Sequence, residues 1–486
     1  MARWCAVPAL IGGALAGVMA GGVPAHADTL RDALASAYNT NPVLLAARSD
    51  QRAQDETVPI TRADGLPGIT ANATYTDFLH QSSDSPLNAK NQFNGSVTLG
   101  VPIYSGGAVR NGLKAARTRV QAGRADLRAT ESAVFAQVVA AYMDVIQNEA
   151  ITALSESLVD VLSVNLQATT DRFEIGDLTR TDVAQSRSRL ELARGDMRAA
   201  QANLAAARER YIELVGRVPG ELAPPPPLPN LPDDAALAVE TALTHNPDLL
   251  AARERAEAGR YDIKVAGSGR LPRVELFTGA DYAHTDRGDI PGLGNVFANS
   301  NTTATAGVRA SIPIYQGGRP AAQERQAQAR ASALLEREIA TEREVIAQVR
   351  AAYSSWRAAH AIIASTESAI AAAELSLEGV RAENSVGNRT ILDILDAEQE
   401  LLRARVQLVT ARRNAYVAGF SLLAAMGRAE ARDLAIDTGG PLYDPVANYE
   451  RVQGKLLDWG SDPAPQPQAT RTIDTATQNS TIPEQE

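Results

Sequence analysis

The chain contains the stretch Val101-Pro102-Ile103-Tyr104-Ser105-Gly106-Gly107, and it repeats this stretch as Ile312-Pro313-Ile314-Tyr315-Gln316-Gly317-Gly318. From Pro102 to Pro313 the offset is 211 residues, and the same offset relates Gly216-Arg217 to Gly427-Arg428. Nearer the N-terminus Asn41-Pro42 recurs as Asn246-Pro247, an offset of 205, so the second copy carries six extra residues. We place them in the Gly-, Asn- and Asp-rich segment 286–301. Self-similarity of this length predicts two copies of one structural plan.

The boundaries of the two copies follow from composition. The first copy covers 28–217 and the second 234–428, and between them 218–233 contains the proline run Pro224–Pro227. A run of prolines is a stiff linker that contributes to neither helix nor sheet. The C-terminal segment 429–486 becomes rich in Pro, Gln and Thr, a composition that predicts disorder towards its end.

Each copy predicts one pair of strands, at about 68–80 and 92–104 and again at about 273–285 and 303–315. In the second strand Val97, Leu99, Val101 and Ile103 alternate with other residues, and Val308, Ala310, Ile312 and Ile314 repeat the pattern. Alternation over about ten residues is typical of a barrel strand with one apolar face. A soluble hairpin with one buried face has the same pattern, so alternation alone leaves both open.

Each copy also predicts two very long helices, at about 107–171 and 179–215 and at about 318–383 and 390–427. The last of these has large residues at one heptad position and alanines three residues behind; the two sets are Ile394, Leu401, Leu408, Ala415, Leu422 and Ala397, Ala404, Ala411, Ala418, Ala425. This is the a/d pattern of a coiled coil, with small residues that allow close approach of helices. We therefore expect long antiparallel coiled-coil helices that form a curved wall.

The N-terminus predicts a secretory signal peptide over 1–27. Arg3 precedes an apolar run, and Ala25-His26-Ala27 matches a cleavage site, which we favour over a transmembrane anchor because the run is short and rich in glycine. The only cysteine, Cys5, lies within it, which leaves no thiol for disulfides, metal sites or catalysis. Beyond it no stretch of about 18 uncharged apolar residues occurs, so any membrane crossing would use strands.

Composition and motifs argue against several other functions. The formal net charge of −10 argues against a nucleic-acid partner. The histidines are scattered, and the sequence has no HExxH, GxSxG or GxxxxGK pattern, so we expect neither an enzyme nor a cofactor. A soluble coiled-coil scaffold would explain the heptads, but it would not explain four alternating strands behind a signal peptide.

From about Leu30 to Arg428 the chain resembles the TolC-type outer-membrane factor family. The segment 386–396, Val-Gly-Asn-Arg-Thr-Ile-Leu-Asp-Ile-Leu-Asp, looks like the family's pore-gate motif. The resemblance implies a homotrimer with a twelve-stranded transmembrane β-barrel in the outer-membrane lipid and a helical tunnel in the periplasm. It also implies two partners, a periplasmic adaptor and an inner-membrane ABC or proton-driven transporter. Four strands cannot close a barrel, and open edges in lipid are costly, which agrees with oligomerisation.

The resemblance further assigns roles to residues of the helix tips. Asp393 and Asp396 match the pore gate, and their three-residue spacing predicts that they share a face and form two rings of carboxylates in a trimer. The alternative is that both are solvated acidic residues at a helix N-terminus, where such residues are common. The other matched positions are the gate-locking residues Arg389, Thr181, Asp182 and Asn384, the last replacing the family's tyrosine, and the adaptor-docking glycines Gly176 and Gly387. Secretion of proteins and efflux of small molecules remain alternative uses, and the lack of a lipid-attachment motif favours the branch capable of secretion.

Overall fold

The computed structural model describes residues 28–82, 88–287 and 298–478. The predicted signal peptide and most of the predicted insertion therefore lie outside the described residues. The first repeat consists of α1 (Leu30–Thr40), α2 (Pro42–Asp55), α3 (Thr57–Ala63), β1 (Gly68–Asp77), β2 (Ala89–Tyr104), α4 (Ala108–Glu174) and α5 (Arg180–Val215). The second consists of α6 (Ala235–His245), α7 (Pro247–Gly267), β3 (Arg273–Arg287), β4 (Ser300–Ser311), α8 (Arg319–Ser385) and α9 (Ile391–Ala425), and α10 (Pro445–Val452) follows.

The four strands form one antiparallel sheet in the order β1-β2-β3-β4. Directly opposed residues share a face, and the pairs Ile69–Leu99 and Leu276–Val308 lie on the same face. The other face carries pairs such as Thr70–Thr98 and Glu275–Arg309. The register therefore gives the sheet one apolar and one polar face. The apolar side chains are exposed in the single chain, Ile69 by 71% and Val308 by 64%, which distinguishes this sheet from a soluble hairpin with a buried face.

The fourth strand is shorter than the sequence predicts. It ends at Ser311, which pairs with Arg273, the first residue of β3. The residues that follow have no pairing partner on that side, and Ile314 and Tyr315 are 96% and 87% exposed. In the first repeat the equivalent Tyr104 continues the strand because β2 lies between two neighbours. The prediction of a strand to about 315 was therefore wrong, and the cause is the edge position of β4.

Below the sheet the four long helices form two antiparallel hairpins, α4 with α5 and α8 with α9. Although α4 and α8 both have 67 residues, α4 buries twenty of them and α8 only seven. The α7 helix lies between α4 and α8, and α9 also packs against α4. Within the described part of the chain only α4 has a stretch long and apolar enough to cross a membrane, and half of that stretch is buried by other helices.

Contacts at equivalent positions fix the two repeats in the same way. Asn41 caps α2 and donates to Leu214 O at 3.0 Å, while Asn246 caps α7 and donates to Ala425 O at 2.9 Å. Tyr142 donates its hydroxyl proton to Ala223 O, and Tyr353 donates to Asp233 O, each at 2.6 Å. Both tyrosines thereby hold the proline-rich linker against the long helices. Equivalent residues of the two repeats thus form equivalent hydrogen bonds.

The C-terminal segment packs along the first repeat. Glu430 is buried and pairs with Arg128 at 2.6 Å and with Arg432 at 3.0 Å. After α10, residues 453–478 form neither helix nor strand. Residues 479–486 lie outside the described residues, so the predicted disorder of the chain end stays a prediction.

Candidate channel gate at the helix tips

The two hairpins end in turns of the same construction. Gly176 has φ of +85° and Gly387 has φ of +83°, which is the left-handed region that a side chain strains. In both turns the residue after the glycine donates its amide proton back into the helix, Asp177 to Arg172 O and Asn388 to Glu383 O, at 2.9 Å. This arrangement satisfies carbonyls at the helix end. A Cβ at either glycine would meet open space, so both turns are exposed in the single chain.

Asp393 completes a capping box at the start of α9. Its Oδ2 atom accepts protons from the Thr390 amide at 2.8 Å and from the Thr390 hydroxyl at 2.7 Å. Hydrogen bonds to the ionised form hold the pKa of the Asp393 carboxyl below its usual value. Asp393 therefore stays charged, and its Oδ2 atom caps the N-terminus of α9. The structure thus gives this residue the helix-terminus role that the sequence offered as an alternative.

Asp396 makes a contact of a different kind, because it joins the two hairpins. Its Oδ1 atom accepts a hydrogen bond from Nη2 of Arg189 in α5 at 2.7 Å. Asp396 is the more exposed partner, with 58% of its side chain accessible against 39% for Arg189. Asp393 and Asp396 thus lie one turn apart on α9, but they face different partners. Arg189 was not predicted as a site residue, since nothing local in the sequence links it to a position 207 residues further along.

The predicted lock residues of the second hairpin stay within that hairpin. Arg389 Nε donates to Glu383 Oε2 at 2.7 Å, and its Nη1 lies 3.8 Å from Asp393 Oδ1. Asn384 donates its side-chain amide to Arg389 O at 2.7 Å. These contacts close the turn between α8 and α9. They place the Arg389 guanidinium beside the carboxylate of Asp393.

The predicted lock residues of the first hairpin do not reach Arg389. Asp182 caps α5 by accepting from the Thr179 amide at 2.8 Å and hydroxyl at 2.7 Å. Thr181 is exposed. Among the described residues no hydrogen bond or ion pair joins Arg389 to Thr181 or Asp182. Near the tips the hairpins are instead joined by Arg189 with Asp396, and further from the tips Arg413 pairs with Asp144 at 2.7 Å.

Ion pairs at heptad spacing fix α8 against α9 above the tip. Arg405 donates to Glu374 at 2.8 Å and Arg412 to Glu367 at 3.0 Å, each one heptad further from the turn. One heptad nearer the turn, Arg381 pairs with Glu398, whose side chain is 9% exposed. Steps of seven in both helices keep an antiparallel pair in register. The hairpin that carries the two aspartates is therefore braced along its distal half.

Two strand pairs that form a sheet with an apolar outer face, joined to two long helical hairpins with charged tips, define a protomer of a membrane channel. The chain belongs to the outer membrane efflux protein family, whose model matches residues 33–217 and 238–428 and thus both repeats. It is 34% identical to the outer membrane efflux protein BepC of Brucella suis, over 91% of this chain and 94% of that protein. It is 27% identical to the outer membrane protein TolC of Escherichia coli, over 96% of each chain.

The fold also matches a solved channel structure. The Campylobacter jejuni CmeC outer membrane channel superposes with a TM-score of 0.72 at 16% identity, over 88% of this chain and 90% of that one. These matches confirm the predicted family and the fold of four strands with a helical barrel. They also place this chain in the outer membrane, with its helical tunnel in the periplasm.

Proposed function

We propose that three copies of this chain form a channel-tunnel that exports cargo across the periplasm and the outer membrane. The observation that carries the proposal is the four-stranded sheet, whose edge strands β1 and β4 have no partner on their outer sides among residues 28–82, 88–287 and 298–478 of the single chain. Unpaired strand edges in lipid leave backbone groups unsatisfied at several kcal/mol each. Three sheets joined edge to edge make a closed, even-numbered barrel of twelve strands.

The unequal burial of the long helices supports assembly independently of the sheet. The α8 helix has the length of α4 but buries far fewer of its residues. A neighbouring copy offers the missing partner, because each long hairpin can then contact a hairpin on either side. The alanine positions of α9, of which Ala411 is already buried, allow the close approach that a continuous helical wall requires.

Assembly is tested by the mass of the purified protein in mild detergent. A trimer that persists at low protein concentration, and that dissociates only on heating, is the expected result. A stable folded monomer in analytical ultracentrifugation would contradict the barrel.

We further propose that Asp393 and Asp396 line the periplasmic constriction of this trimer. Both carboxylates lie at the tip of the braced hairpin, and each is next to a guanidinium group, Arg389 for the first and Arg189 for the second. Export then requires the tips to separate, which breaks the Arg189–Asp396 pair. The exposed turns at Gly176 and Gly387 are the proposed docking points of a periplasmic adaptor. An inner-membrane ABC or proton-driven transporter would supply the cargo.

The cargo class separates two uses of the same channel. Efflux of small molecules agrees with the name of the relative BepC, and type I secretion of proteins is the alternative. A deletion strain distinguishes them: greater sensitivity to toxic compounds indicates efflux, and loss of particular proteins from the culture medium indicates secretion.

A further inference from the structure

A closed loop after α10 presents three large apolar side chains to solvent. Arg451 donates to both carboxylate oxygens of Asp462, at 2.9 and 2.8 Å, and Lys455 Nζ lies 3.5 Å from the same carboxylate. Between these charges Leu456 is 63%, Leu457 85% and Trp459 97% exposed. Three such residues within four positions form a concentrated apolar patch, and patches of this kind mark surfaces with a partner.

Contacts with α2 and α3 place this loop at the end of the helical part of the chain that lies nearest the sheet. The Asn448 side-chain amide donates to Asp55 Oδ2 at 2.8 Å, near the end of α2. Further along, Arg62 Nη1 in the last turn of α3 donates to Gln453 O at 2.7 Å. The C-terminal segment therefore runs parallel to α2 and α3, and both approach the start of β1.

Arg62 itself lies at the junction between the helices and the sheet. Its carbonyl accepts the Gly65 amide at 3.0 Å, and Gly65 packs against Val109 in the first turn of α4. Three residues after Gly65 the chain enters β1 at Gly68. Leu456 is only three residues beyond Gln453, so it lies within about 10 Å of that contact by chain length. The apolar patch therefore begins close to the junction between the helices and the sheet.

Beyond the loop the chain turns back towards the middle of the helices. Thr470 lies against Gly216 at the end of α5, and the Gln478 amide donates to Glu209 Oε1 at 2.9 Å. The C-terminal segment thus runs towards the sheet and returns, and the apolar residues lie in the loop where it turns. The Arg451–Asp462 pair joins the two ends of this loop. Leu456, Leu457 and Trp459 follow one another closely in this part of the segment, whereas exposed Ile473 stands alone on the return.

We propose that Leu456, Leu457 and Trp459 form an interfacial anchor that inserts into the periplasmic leaflet of the outer membrane. Tryptophan is enriched where a membrane meets water, since its ring is apolar and its indole N–H needs a polar partner. The loop begins near the junction from which β1 starts, and the apolar face of the sheet exposes Ile69 and Val308. The proposal rests on the outer-membrane location and is independent of the gate.

The three tryptophans of the chain allow a direct test. They are Trp4 in the predicted signal peptide, Trp356 in α8 and Trp459. A variant with Trp4→Phe and Trp356→Phe leaves Trp459 as the only tryptophan. This variant is reconstituted into phosphatidylcholine vesicles with and without bromine atoms on the acyl chains near the headgroup. We expect brominated lipid to quench Trp459 emission by at least half.

The matched control carries Trp4→Phe and Trp459→Phe and retains Trp356. Trp356 lies 37 residues after the start of α8, roughly 55 Å below the junction at 1.5 Å per residue, so brominated lipid should leave its emission unchanged. Unquenched Trp459 with the emission maximum of a water-exposed indole would overturn the proposal. Unquenched but blue-shifted emission would also overturn it, because the patch would then be covered by protein, such as a neighbouring copy.

Discussion

Replacement of Arg189 by glutamine should increase the cation selectivity of the channel. In each chain the carboxylates of Asp393 and Asp396 face the guanidinium groups of Arg389 and Arg189, at 3.8 and 2.7 Å. Arg389 also pairs with Glu383 at 2.7 Å, so these three carboxylates and two guanidinium groups have a net charge of −1 in each chain. In a trimer, removal of Arg189 makes the constriction more negative by three charges. The wild-type channel should therefore be less cation-selective than six free carboxylates would make it.

The size of the effect follows from Coulomb's law. A permeating cation about 10 Å from three negative unit charges in water has a favourable Coulomb energy of about 1.2 kcal/mol. Screening by 0.1 M salt, with a Debye length of about 10 Å, reduces this energy to about 0.5 kcal/mol. An anion is disfavoured by the same amount, so the cation-to-anion permeability ratio should rise about fivefold. The loss of the tie between hairpins should also raise the conductance.

Reversal potentials in planar lipid bilayers under a salt gradient measure this ratio. Arg194→Gln is the matched control, because Arg194 is on the same helix, has similar exposure and forms its ion pair with Glu191 one turn away. Arg189→Lys should keep the wild-type ratio, since it keeps the charge. If Arg189→Gln and Arg194→Gln give the wild-type reversal potential alike, Asp396 does not line the pore.

Three further results are expected. Ala411→Leu should overpack the helical wall by ~1–3 kcal/mol and lower the melting temperature of the trimer; an unchanged temperature would contradict close packing at this position. Thr390→Ala and Thr179→Ala each remove an N-cap worth ~0.5–2 kcal/mol, so circular dichroism should record similar losses of stability, whereas only Thr390→Ala should alter conductance. Burial raises the pKa of Glu131, because the ionised carboxylate is unfavourable in the folded state. Ionised Glu131 therefore destabilises the fold, and this destabilisation is relieved as the pH falls through the raised pKa and the carboxylate becomes protonated. Glu131→Gln should therefore have a higher melting temperature than the wild type at pH 7.5, and the difference should become smaller at acidic pH. A variant that melts below the wild type at pH 7.5 would contradict this.

Most of the fold could be predicted from the sequence because it is repeated and strongly periodic. The predicted ends of the long helices at 171, 215 and 383 lie within three residues of Glu174, Val215 and Ser385, since glycine turns and heptads are local signals. The end of β4 was predicted wrongly because it depends on which neighbour a strand has. Which strands are neighbours in a sheet is a tertiary property, and alternation of residues along the sequence does not predict it.

The candidate site could be predicted only in part. The glycines of the turns and the two aspartates were found because they lie within one short motif. Arg189 was missed because its contact with Asp396 joins helices of different repeats, and no sequence spacing encodes it. The capping role of Asp393 was accessible from the sequence, since threonine followed three residues later by an acidic residue is a capping-box pattern. That pattern and the gate motif overlap in the same residues.

The order of the strands has a consequence for how the protein acquires its structure. The strands β2 and β3 pair along most of their length, as with Gly100 and Phe277, yet both long helices of the first repeat separate them in the chain. The β1–β2 hairpin is synthesised first, and one edge of β2 stays unpaired until β3 has followed. Pairings distant in sequence close slowly, and exposed strand edges invite aggregation meanwhile. We therefore expect pairing of β2 with β3 to limit the rate of folding. A shortage of a periplasmic chaperone would then reduce the amount of folded β-barrel before the helical hairpins lose their native contacts.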